Sequence, residues 1–173
     1  MRLKIPMREF QNKTYWIVGA SEGLGRALAI QLAKVGTKVI ISARSEERLI
    51  GLSEEIGSNT MVLPMDVSDR SSVQKAFSKL PKSLDGFIFV SGVYWHMSAS
   101  SWDETKAEEM VDVNLVGAMR CLAHLIPKFI NQGFGHIVLT GSIAGYRGLP
   151  GSVGYCASKA GLMSLAETLK IDL

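Results

Sequence analysis

The sequence of 173 residues predicts an α/β fold of the doubly wound, Rossmann-like kind, with a parallel sheet in the order 3-2-1-4-5. Three observations lead there. Five short apolar runs alternate with amphipathic stretches of helical period. The runs are near-continuous in apolar residues, as strands covered on both faces require. The first run ends in a glycine-rich turn that opens a helix. Strand–helix alternation repeated five times calls for right-handed crossovers and a parallel sheet. The length is that of one domain, expected over 1–173.

The elements follow in order. The first strand is expected over 15–19 (YWIVG). Leu24, Leu28, Leu32 and Val35 then recur at helical spacing, and Gly36 stops that helix. The second strand spans 38–43 (KVIISA); Ser45 can cap the next helix, with Glu46 and Glu47 favourable in its first turn. The third strand spans 61–65 (MVLPM), and Ser68 or Asp69 can cap a helix ending near Pro81. The fourth strand spans 86–91 (GFIFVS). A long helix is expected over about 102–131, kinked at Pro127. The fifth strand spans 136–140 (HIVLT), and a last helix runs from Val153 to the end.

Composition removes several function classes. The apolar share of 47% can fill a core, and the net charge of +3 is mild. No Lys/Arg cluster supports nucleic-acid binding. Cys121 and Cys156 form no CxxC pair and fit idle thiols in a reducing compartment. The first thirteen residues hold no apolar h-region, and no run reaches the length of a membrane span. A cytoplasmic location without membrane contact is the expectation. His96, His124 and His136 show no ligand spacing, so no metal site is expected.

The turn after the first strand reads Gly19-Ala20-Ser21-Glu22-Gly23-Leu24-Gly25, a GxxxGxG spacing. Glycines let the backbone approach a pyrophosphate, and the following helix offers free N–H groups. A plain tight strand-to-helix turn is the simpler alternative. Arg44, at the end of the second strand, suits a ribose 2′-phosphate and leans the choice toward NADP over NAD, although it could equally be a solvated residue opening a helix. Glu22 pulls the other way, since a carboxylate repels a phosphate. Asp66, followed by Val67 after the third strand, could accept from an adenine amino group or merely close a turn.

Near the end stands Gly154-Tyr155-Cys156-Ala157-Ser158-Lys159, with a phenol and an ammonium four residues apart on one helical face. A free phenol ionises near pH 10, and a nearby cation favours the phenolate. With GxxxGxG at one end, Asn114 in VDVNLVG, Ser142 in LTGSIAG and YxxxK at the other end, the sequence resembles the short-chain dehydrogenase/reductase family, in its single-domain branch.

The resemblance implies reversible hydride transfer between a nicotinamide cofactor, NADP(H) here, and a carbonyl/alcohol pair. It makes Tyr155 the general acid/base and Lys159 its electrostatic partner and a holder of the nicotinamide ribose. Ser142 stabilises the substrate oxygen, and Asn114 holds a water linking Lys159 to solvent. It also makes Gly19, Ser21, Gly23, Leu24, Gly25, Arg44, Asp66, Val67 and Gly92 the cofactor contacts, together with Tyr155 and Lys159. Singly, each catalytic residue has a plainer reading: a helix-kink asparagine, a strand-end serine, a core tyrosine, a solvated lysine.

The partners implied are a small-molecule substrate and further copies of the chain. A homodimer or homotetramer is expected through the helices at about 102–131 and 153–173. Ala118, Met119, Leu122, Leu162, Met163 and Leu165 are the candidate apolar surface, some of them facing the sheet instead. Tyr94, Trp95 and Trp102 fall where the family builds its substrate pocket, with packing as the alternative.

Three features depart from the family pattern. Val18 stands where threonine is usual, and Phe89-Val90-Ser91-Gly92 stands for NNAG. Losing both polar partners together can be nearly neutral, so an apolar contact around Val18 and Val90 is expected in their place. The family's sixth and seventh strands and its substrate-covering region do not follow, so the fifth strand is expected at a sheet edge in a fragment of a longer enzyme. A reading from another class therefore remains, a nucleotide-binding or oligomeric protein without catalysis; cofactor titration followed by a carbonyl panel separates the two.

Overall fold

The computed structural model describes residues 8–173. Its strands are β1 (Thr14–Val18), β2 (Lys38–Ser42), β3 (Thr60–Val62), β4 (Gly86–Phe89) and β5 (Ile137–Leu139). They form one parallel sheet in the order β3-β2-β1-β4-β5. Pairing runs Val18↔Ser42 on one side of β1 and Val18↔Phe89 on the other, so the C-terminal ends of these three strands are level.

The near-continuous apolar runs serve two cores at once. Alternate strand residues leave opposite faces of a pleated sheet. Trp16, Val18, Ile40, Phe87 and Phe89 pack on one side; Tyr15, Ile17, Val39, Ile41 and Ile88 pack on the other. Fully burying one such side chain contributes about 1.5–3 kcal/mol, so each strand is held from both faces. The one indole N–H inside the first core is satisfied, since Trp16 Nε1 donates to Ser42 Oγ at 2.8 Å.

The helices α1 (Gly23–Lys34) and α2 (Glu46–Ile56) cover the second face through Ala29, Leu32, Leu49 and Leu52. Ser45 caps α2 by accepting the Arg48 N–H, as its position before two glutamates suggested. On the first face lie α3 (Arg70–Ser78), capped by Asp69 and not by Ser68, and two longer helical runs.

The long helix expected over 102–131 is three segments. α4 (Glu104–Val111) passes into a π-helical turn, Asp112–Val116, and then α5 (Gly117–Gln132). The interruption lies at the π-turn, where the Gly117 N–H reaches back to the Asp112 carbonyl; Pro127 sits within the continuous α5. A π-turn inserts an extra residue and shifts the faces presented on either side of it. Contrary to the sequence expectation, one run does reach spanning length: Glu104–Gln132, 29 residues, is long and apolar enough to cross a membrane. Here its Ala118, Cys121, Leu122, Leu125 and Phe129 are buried against the sheet. The last helix, α6 (Val153–Asp172), buries Leu162 in the same core.

Two further expectations sort themselves out. Of the proposed apolar surface residues, Ala118, Leu122 and Leu162 face the core, while Met119 is 48% exposed. Val18 and Val90 each pack among apolar side chains, but not in one shared contact, because residue parity sends them to opposite faces of the sheet. Their link is through the backbone: the Val18 carbonyl accepts both the Val90 and Ser91 N–H groups, at 2.8 and 2.9 Å.

β5 is the edge of the described sheet, as expected, and its three residues are only half-buried. Beside it runs an apolar groove of ≈ 530 Å³ whose walls include Phe129, Phe134, Leu139 and Leu169.

Candidate functional site

The glycine turn is a close-packed junction. The Gly19 N–H donates to the Ser42 carbonyl at 2.8 Å, tying the end of β1 to the end of β2. Gly19 has φ +95°, and a Cβ there would lie 2.5 Å from the Ser91 nitrogen. A Cβ on Gly25 would collide with the Gly19 carbonyl. Both positions therefore exclude any side chain, and the start of α1 lies against bare backbone. Gly23, at φ +53°, supplies the bend that starts α1.

Around this junction opens a cleft of ≈ 330 Å³ at the C-terminal ends of β1, β2 and β4. This is the switch point of the strand order, where α/β sheets of this kind bind ligands. From the glycine turn, Gly19, Ser21, Leu24 and Gly25 line it; from the segments after β2 and β3 come Arg44, Asp66 and Val67; Gly92 closes the side after β4. Gly23 shapes the turn without lining the cleft. Asp66 is engaged locally: its Oδ1 accepts from the Ser68 N–H at 2.9 Å and the Ser68 hydroxyl at 2.7 Å, closing a turn. Val67 is pressed against α5, where a Cβ on Gly117 would come within 2.9 Å of it.

Asn114 lies in the π-turn, wholly buried. Its Oδ1 accepts the Val93 N–H at 2.7 Å, and its Nδ2 donates to the Val93 carbonyl and to Ser158 Oγ, each at 3.0 Å. The side chain thus pins the chain leaving β4 to α6. Ser158 in turn donates to the Tyr155 carbonyl at 2.8 Å. Gly92 sits in the gap: a Cβ there would be 3.1 Å from Asn114 Oδ1 and 3.9 Å from Lys159 Nζ.

Tyr155 and Lys159 share the face of α6 that meets this gap. Lys159 Nζ lies 5.7 Å from the Tyr155 ring centroid and donates to the Thr140 carbonyl at 2.9 Å, beyond the end of β5. Lys159 is only 4% exposed and has no carboxylate partner among the described residues. Burial accordingly pulls its ammonium below the ordinary lysine value. Ser142 opens the short 3₁₀ turn Ile143–Gly145, its Oγ accepting the Ala144 N–H at 3.1 Å, and that turn rests on α6 at Lys159 and Met163. The Tyr94 ring meets Tyr155 edge-on at 5.1 Å, while Trp102 is 58% exposed. Trp95 is tied outward, its indole N–H donating to Glu109.

Some participants had no signal in the sequence. Ser158 reads as one small residue among several in GYCASKAG, yet it bridges Asn114 to α6. Arg48 also lines the cleft, and its Nη1 pairs with Glu22 Oε2 at 2.6 Å. The carboxylate that argued against a phosphate is therefore already matched by a cation 26 residues away in sequence, a distance no local pattern reports.

Comparison with known proteins places the geometry. The family model described as short chain dehydrogenase matches residues 13–173. An uncharacterized oxidoreductase of Listeria monocytogenes is 32% identical over 169 residues, covering 94% of this chain and 68% of that protein. A 3-oxoacyl-(acyl-carrier-protein) reductase of Rickettsia typhi is 32% identical over 167 residues, covering 96% and 69%. Among solved structures, serine dehydrogenase from Escherichia coli superposes with a TM-score of 0.89 at 27% identity, covering 92% of this chain and 76% of that one. A closed form of serine dehydrogenase complexed with NADP+ gives 0.89 and 27%, with 92% and 66% covered. The chain spans about two thirds to three quarters of the length of these proteins.

Proposed function

We propose, from the premise that the chain belongs to the short-chain dehydrogenase family, that it binds NADP(H) in the cleft at the glycine turn and acts with Tyr155 as general acid/base on a small carbonyl or alcohol. The observation that carries the reading is the convergence of Gly92, Asn114, Tyr155 and Lys159 beside a cleft walled by bare glycine backbone.

The residues present fit a dinucleotide. Gly19 and Gly25 keep the backbone open where a Cβ would intrude, and Arg44 and Arg48 bring two cations to the same cleft. Ser21, Leu24, Asp66, Val67 and Gly92 form the remaining wall. Gly23 sets the start of α1, whose free N–H groups suit an anion. When bound, the nicotinamide supplies or accepts the hydride.

The chain's own residues handle the proton. In reduction, the Tyr155 hydroxyl gives its proton to the oxygen of the substrate as the carbonyl carbon becomes tetrahedral; in oxidation it takes the alcohol proton back. Lys159, held at the Thr140 carbonyl and over the Tyr155 ring, favours the phenolate left behind. Lys159 is buried with no carboxylate partner among the described residues, so its charge is little screened toward that phenolate. Ser142 donates to the substrate oxygen. Asn114 holds the Val93 turn and α6 in register; in this reading it also helps hold a water between Lys159 and solvent.

Assembly through the α4–α5 and α6 surfaces, where Trp102, Val111, Val116, Val153 and Ala157 leave an open apolar groove, belongs to the same reading.

The deciding variant is Tyr155→Phe, which keeps the ring and removes the proton donor. With NADPH and a carbonyl panel that includes a 3-oxo thioester, assayed by nicotinamide absorbance, turnover is expected to fall by at least about a hundredfold. NADPH affinity by calorimetry is expected to stay within about twofold. Retained turnover would remove Tyr155 from the proton step.

A further inference from the structure

The helices α1 and α2 are joined by two ion pairs of crossed polarity. Glu22 stands at the N-terminal boundary of α1, makes no side-chain capping bond there, and pairs with Arg48 in the first turn of α2; one turn further along α1, Arg26 pairs with Glu55 near the end of α2. Only the Glu22–Arg48 pair lies on the cleft, next to Arg44, which makes no ion pair among the described residues. Its side chains are 75% and 60% exposed, so the pair is screened and cheap to open.

We propose that Glu22–Arg48 is an exchangeable latch in which the Glu22 carboxylate occupies Arg48 until a ribose 2′-phosphate takes its place, so that Arg48, with Arg44, determines the preference for NADPH over NADH. The proposal rests on dinucleotide binding at this cleft. The chemistry favours the exchange. A phosphate carries more charge than a carboxylate and presents three acceptor oxygens, enough to engage both guanidinium groups. NADH brings no such anion, so it leaves the latch shut. Glu22 thereby acts as an internal competitor, which lowers NADPH affinity without touching that of NADH.

The test is a double-mutant cycle read by calorimetric affinity for NADPH and for NADH, with the melting temperature of each ligand-free variant as a check on folding. Glu22→Gln is expected to tighten NADPH about fivefold to tenfold and to change NADH less than about twofold. Arg48→Met is expected to weaken NADPH about tenfold in the Glu22→Gln background, again sparing NADH. That background separates two roles. If Arg48 merely neutralises Glu22, its removal there has no effect on NADPH, and the latch is refuted. Unchanged NADPH affinity in Glu22→Gln refutes the competition. A parent protein that binds neither nucleotide overturns the assignment of the cleft itself, an outcome visible before any variant is made.

Discussion

Asn114→Ala tests how the site is held. The side chain is fully buried and makes three hydrogen bonds: one from the Val93 N–H, one to the Val93 carbonyl and one to Ser158. Ser158 keeps its bond to the Tyr155 carbonyl, so the loss there is small. The two Val93 backbone groups lose their partner, and leaving a buried polar group unsatisfied costs about 1–3 kcal/mol. Val93 is only half-buried, so water recovers part of that cost. The net is about 3 kcal/mol, and for a chain of this size each kcal/mol moves Tm by about 2–4 °C. Thermal unfolding should therefore show Tm lowered by about 6–12 °C. Val93 follows Ser91 and Gly92 on the cleft wall, so NADPH affinity should fall with the loss of the pin. A Tm drop below about 2 °C would refute the hydrogen-bond accounting. A large drop with unchanged NADPH affinity would refute the link between the pin and the cleft.

The proposed preference for NADPH over NADH should largely disappear in Arg44→Ala, since a charge-assisted contact contributes about 1.5–3 kcal/mol; calorimetry with both nucleotides checks it, and equal affinities in the parent protein would refute the preference. His136 bonds the Tyr15 hydroxyl through Nδ1 at 3.0 Å, and burial holds its pKa below the ordinary 6.5. The unfolded chain then takes up a proton that the folded chain refuses, so its stabilising contribution is full above pH 6.5 and is lost as pH falls through the window below it. His136→Gln should flatten the decline in Tm measured between neutral pH and pH 5. Burial pushes the Cys121 thiol up to about 12, whereas Cys156 is only half-buried. A chromogenic disulfide reagent at pH 8 should titrate Cys156 first and reach Cys121 only after denaturant is added.

Much of this protein was legible in its residues. Five apolar runs, their spacing and the glycine turn determine the layered α/β architecture, because burial on both sheet faces and right-handed crossovers leave few other arrangements. The cap at Ser45 and the i, i+4 placement of Tyr155 and Lys159 follow from local geometry alone. Other features depend on contacts between distant residues. The π-turn at 112–116 carries no propensity signal; it becomes visible where Gly117 presses on Val67 and Asn114 reaches Val93 and Ser158. Val18 and Val90 looked like neighbours, but strand parity sends them to separate cores. The role of Glu22 changed most. Read along the chain it is a carboxylate opposed to a phosphate; in the fold it faces Arg48 from the neighbouring helix. The charge of a residue is written in the sequence, whereas the charge that balances it depends on which helices the sheet brings side by side.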